Sequence, residues 1–76
     1  MSADELRRLL RAVPFRPFTI HLPSDKAFPV PHPEFAALTP PGRILIVLHA
    51  EDNAFDILDV PLITHVEVHK AASSGE

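Results

Sequence analysis

The chain predicts an α+β domain, in which one amphipathic helix is followed by five short strands in a strongly bent antiparallel sheet. Three observations support this. Leu6, Leu9, Leu10 and Val13 recur at helical spacing near the start. Ile44-Leu45-Ile46-Val47-Leu48 is a strand-sized run of branched aliphatics, bounded by Pro41-Gly42 before it and Glu51-Asp52-Asn53 after it. Phe18, Ile20 and Leu22, and later Thr64, Val66 and Val68, alternate with polar residues at the period of two that marks a half-buried strand.

Ser2-Ala3-Asp4-Glu5 has capping-box spacing, so the helix starts here, with the Ser2 hydroxyl on the third helical amide and Glu5 reaching back. Arg7, Arg8 and Arg11 fill the rest of its circumference, and Pro14 ends it by disfavouring helical backbone at Val13. Pro14-Phe15-Arg16-Pro17 is a stiff corner leading into strand one at residues 18–22. Pro23-Ser24-Asp25-Lys26 has hairpin-turn chemistry, and strand two covers residues 27–30. Pro29 and Pro31 lack donors on the same side of that strand, which makes it an edge. In residues 32–38, Pro33 suits the first position of a short helical turn, while Phe35 and Leu38 equally suit a strand. Thr39-Pro40-Pro41-Gly42 is a break. Strand three, residues 43–49, is central and expected to be covered on both faces. Strand four, residues 54–60, is expected to turn Phe55 and Ile57 inward. Pro61 separates it from strand five, where His65, Glu67 and His69 alternate with Thr64, Val66 and Val68. Residues 1–69 form one domain, and 70–76 form a disordered tail with nothing to bury.

A chain of 76 residues buries only about 60% of the surface its unfolded form exposes, so self-association is a natural further source of stability. The absence of cysteine excludes disulfides and thiolate metal sites, and fits a reducing cytoplasm. Asp4, Glu5, Arg7 and Arg8 stand where a signal peptide needs an apolar run, and no apolar stretch approaches spanning length. The chain therefore reads as soluble and cytoplasmic. Residues 1–17 carry four arginines against two acids, net +2, while residues 18–76 carry three bases against eight acids, net −5. Two oppositely charged ends suit head-to-tail contact between copies.

In layout, the elements resemble the Sm-like family of small SH3-like barrels. Phe18-Thr19-Ile20-His21-Leu22 with its polar turn is similar to that family's first strand, and Leu62-Ile63-Thr64-His65-Val66-Glu67-Val68 to its last. The resemblance implies a helix-capped, five-stranded barrel and rings in which strand four of one subunit pairs with strand five of the next. Pro29 and Pro31 stand where such proteins use Gly to bend, and no position matches the family's basic and aromatic uridine-binding residues. A closer resemblance is to short uncharacterised bacterial proteins with a helix, then Pro14-Phe15-Arg16-Pro17-Phe18, then Val30-Pro31-His32-Pro33-Glu34-Phe35. It implies a shared fold and no activity. Physically, these motifs are rigid corners, with Phe15, Phe18 and Phe35 plugging the sheet ends.

No constellation of catalytic groups is legible. The serines at 2, 24, 73 and 74 belong to a cap, a turn and the tail, His32-Pro33-Glu34 has no nucleophile or oxyanion site beside it, and Gly42 is isolated. His65, Glu67 and His69 share a strand face, but the two histidines stand about 13 Å apart at strand rise, so only neighbouring pairs, or a pair joined by His21, could share an ion. They read as solvent-facing residues whose protonation could alter an interface. The chain is thus expected to be a non-catalytic interaction or assembly module, without cofactor, metal, membrane or small-molecule substrate. It would self-associate, or bind another protein, through the edges of strands four and five. Arg7, Arg8, Arg11 and Arg16 read first as a solvated helix face partly paired with Asp4 and Glu5, and otherwise as a docking surface for Glu51, Asp52, Asp56 and Asp59 of a neighbouring copy or another protein; Asp56 and Asp59 also guard the edge, with His65 and Glu67 on the neighbouring surface. The alternative is an RNA-binding protein using the arginine face.

Overall fold

The computed structural model describes residues 2–70, so the expected tail at 70–76 lies outside the described residues save for Lys70. Helix α1 spans Ala3–Arg11. Ser2 caps it as expected in kind, but its Oγ accepts from the Asp4 amide at 3.2 Å, one residue earlier than the capping box would have it. The helix ends two residues before Val13, because Ala12 is already extended. Val13 therefore leaves the apolar stripe and stands 95% exposed, while Leu6 is completely buried and Leu9 and Leu10 pack against the core.

Six strands follow: β1 (Phe18–His21), β2 (Ala27–Val30), β3 (Ala36–Leu38), β4 (Ile44–Leu48), β5 (Phe55–Asp59) and β6 (His65–Val68). They form two three-stranded antiparallel sheets, ordered β2-β1-β6 and β3-β4-β5. The single five-stranded sheet or closed barrel expected from the sequence is not formed. Residues 32–38 supply both of the structures weighed for them, a 3₁₀ turn at Pro33–Phe35 and then β3. That proline-started turn cuts what would be one long bent strand into β2 and β3, which serve different sheets. A second 3₁₀ turn, Val60–Leu62, built around Pro61, carries the chain back to the first sheet.

One core joins the elements. Leu6, Phe18, Ile20, Val30, Leu45 and Val47 are its largest fully enclosed side chains, with Phe28, Ala36, Leu58, Val60 and Ile63 around them. Phe15 and Phe35 pack on its margin, and Phe15 tilts against Phe18 with ring centroids 5.8 Å apart. Gly42 sits at the seam between α1 and the β3–β4 turn. It has φ of +83°, and a Cβ there would lie 2.5 Å from the Ala3 Cβ, so both its conformation and its neighbour require glycine. Arg7 Nη2 donates to the Pro40 carbonyl at 2.6 Å and ties the helix to the same turn.

Two expectations about the second sheet are overturned. β4 is central, but only Leu45 and Val47 are buried; Ile44 and Ile46 are half-buried and Leu48 is 44% exposed. On β5, Phe55 and Ile57 point outward, 58% and 62% exposed, and Leu58 is the buried residue. The register is the reason. Leu58 stands opposite the enclosed Leu45, which leaves Ile57 opposite Ile46 and Phe55 opposite Leu48 on the other face.

Candidate interaction surfaces

The arginines do not form one basic face. Arg7 pairs with Asp4 at 3.1 Å, one helical turn away, in addition to its bond to Pro40. Arg16 Nε donates to the His69 carbonyl at 3.0 Å and pins the corner to the end of β6. Arg8 lines an open groove of about 760 Å³ between α1 and β6, with Glu5, Leu9, Thr64, His65, Val66 and Val68. Arg11 borders a smaller groove, about 300 Å³, on the side of α1 facing Leu38 and Thr39. Two of the four guanidinium groups are thus engaged in holding the fold, which weakens the footprint for RNA.

The outer face of the first sheet is polar. β6 lies beside β1 with His65 opposite His21 and Glu67 opposite Thr19. The His21 and His65 rings stack at 4.2 Å, only 7° from parallel, and His21 Nε2 lies 3.2 Å from Glu67 Oε1. His69 Nε2 and Thr19 Oγ1 are 2.9 Å apart. The sequence-predicted pair His65 and Glu67 is therefore brought together, with His21 as the shared neighbour. Among the described residues no group of three or more histidine or acidic side chains is arranged to hold a metal ion.

On the second sheet, Asp59 is exposed at the end of β5, opposite Ile44. Asp56 lies 2.5 Å from His49 Nε2 in a contact the sequence did not suggest. The β4–β5 register places His49 diagonally from Asp56, and only that register could have revealed the pair. The hydrogen bond to Asp56 raises the His49 pKa above its ordinary 6.5, with further help from the charges of Asp56, Asp52 and Glu51, against a lesser opposing effect of desolvation.

The four strand edges differ. In antiparallel ladders, alternate residues turn their amides and carbonyls away from the neighbouring strand. The bonds Leu22 N to Lys26 O, His49 N to Ala54 O and His69 N to Pro17 O set that alternation. On β2 the outward positions include Pro29, which has no donor to offer, as expected for an edge. On β3, only three residues long, α1 lies alongside. Among the described residues β5 and β6 remain open, with the backbone groups of Phe55, Ile57 and Asp59 facing outward on one and those of Val66 and Val68 on the other.

No helix among the described residues is long and apolar enough to cross a membrane. No protein-family model, curated protein or solved structure matches the chain.

Proposed function

We propose that this chain is a non-catalytic assembly module that joins copies of itself through the open edges of β5 and β6. The observation that carries this reading is the contrast among the edges: β2 is blunted by proline and β3 lies against the helix, while β5 and β6 keep unpaired backbone groups. Charge supports the same pairing. Glu51 and Asp52 precede β5 and Asp59 ends it, while Arg8 lines the groove beside β6 together with Glu5, so a head-to-tail contact can bring Arg8 near acids of the next copy. Asp59 at the end of β5 limits how far that pairing can slip.

Light scattering after size exclusion, at low and high salt and with absorbance at 260 nm recorded, tests this reading. The expected result is a discrete multiple of the 8.4 kDa chain, free of nucleic acid and little changed by salt. Val68→Pro deletes an outward donor on β6 without touching the β1 ladder, and should lower the mass. A monomer at every concentration would overturn the reading, and co-eluting nucleic acid lost at high salt would replace it with RNA binding.

A further inference from the structure

We propose that the groove between α1 and β6 is the seat of an incoming strand: β5 of the next copy pairs antiparallel with β6 and lays Ile57 and Asp59 into the groove, with Asp59 against Arg8. The inference rests on the edge pairing proposed above and adds to it a direction, a register and a specificity pocket.

Backbone alternation decides which side chains enter. Val66 and Val68 stand opposite Ile20 and Phe18, two enclosed residues, so their side chains lie on the inner face of the first sheet while their amides and carbonyls point out from the edge. Both line the groove, with Leu9 on the helical wall. In an antiparallel ladder, residues that exchange hydrogen bonds stand directly opposite one another and share a face. The residues of β5 with outward backbone groups are Phe55, Ile57 and Asp59. Antiparallel pairing therefore turns their side chains to the groove. Parallel pairing would instead set residues such as Asp56 and Leu58 beside the two valines. Leu58 is already enclosed and Asp56 already bonded to His49, which would leave the groove with nothing to take in.

Charge chooses between the two registers that give two bonded pairs. Val66 with Ile57 and Val68 with Phe55 would set Glu67 directly opposite Asp56, and like charges so placed are destabilising. A shift of two residues sets Val68 against Ile57 and Val66 against Asp59, with His69 opposite Asp56 and Glu67 opposite Leu58. In this register the acid enters a groove lined by Arg8, which has no ion-pair partner among the described residues. Ile57 adds its side chain to those of Leu9, Val66 and Val68. Glu5, one helical turn before Arg8 on the same wall, opposes Asp59.

Because the chain contains no cysteine, mixed cross-linking reads the register. Opposed residues hold their Cβ atoms about 4.5–5.5 Å apart, and diagonal neighbours stand farther, about 7 Å. Val68→Cys protein mixed with Ile57→Cys protein should oxidise to a linked pair roughly tenfold faster than Val68→Cys mixed with Phe55→Cys, although Ile57 and Phe55 are similarly exposed, 62% and 58%. Arg8→Glu should raise the dissociation constant of assembly roughly tenfold, and Glu5→Gln should lower it. Both positions are exposed on α1, so circular dichroism should not change. Equal or reversed linking rates would overturn the register, as would assembly indifferent to Arg8→Glu. A parent protein that is monomeric at every concentration removes edge pairing and the groove's role together. A parent that assembles and loses mass on Val68→Pro, yet links both cysteine pairs equally, keeps edge pairing and loses the register.

Discussion

The two sheets share one interior and differ on the outside. The first presents Thr19 bonded to His69 and His21 bonded to Glu67 across β1 and β6, with His65 stacked on His21. The second presents Ile44, Ile46, Leu48, Phe55 and Ile57 on the corresponding face of β4 and β5. The first is finished for water, whereas the second has the composition of a surface that meets protein. In so small a domain, apolar side chains placed outside the core contribute little to the monomer.

Substitutions can break that contrast at several strengths. The largest effect belongs to the shared interior: Leu45→Ala on the inner face of β4 should lower stability by about 2–5 kcal/mol, read from urea denaturation. A similar loss from an outer-face residue such as Ile57 would show that the outer face is structural after all. Next comes the seam where the helix meets the second sheet. Gly42→Ala must hold a left-handed φ and push against Ala3, and should lose about 1–3 kcal/mol. Thermal unfolding unchanged within error would rule out that close approach. Phe55→Ser with Ile57→Thr should leave the monomer within about 1 kcal/mol of the parent in dilute solution, while removing the concentration dependence of its mass. Polar substitutions at Thr19 and His21 should leave that mass alone.

The smallest effect concerns pH. His49 is held above its ordinary pKa by Asp56 in the fold. Its contribution to stability is therefore fully present below about pH 6.5 and is lost as pH rises through the folded value. Proton NMR titration should find the His49 midpoint above 6.5, and Asp56→Asn should bring it back toward that value. A midpoint at or below 6.5 in the parent protein would contradict the contact.

Much of the fold was legible in the sequence because it depends on local chemistry. The Ser2 cap, the leucine stripe, the edge character imposed by Pro29 and the turn signals at residues 23–26 and 50–53 need no knowledge of distant partners. The division into two sheets was not legible, because it depends on how far the proline-rich turns at 31–35 and 60–62 redirect the chain. The phase of β5 misled for a definite reason. Phe55 and Ile57 outweigh Leu58 in apolar bulk, but Leu58 shares its side with Val60, and both are enclosed. Extending the alternation as far as Val60 would have given the right face. The proximity of His21 to His65 and Glu67 followed from alternation and strand adjacency. The His49–Asp56 pair and the separate engagements of Arg7 and Arg16 required the tertiary register.

Pro29 has a consequence for the molecule's behaviour when crowded. A fibril grows because every strand it adds offers a fresh ladder to the following one, without end. Here each sheet is closed to newcomers on one flank, by a missing donor on β2 and by α1 beside β3. A visiting strand can join at β5 or β6, but the ribbon it creates already has two capped margins and cannot lengthen. The same residue that shortens the list of usable edges therefore limits any one ribbon joined through β5 and β6 to six strands, and in the proposed head-to-tail assembly the number of copies is set by whether the contact closes into a ring.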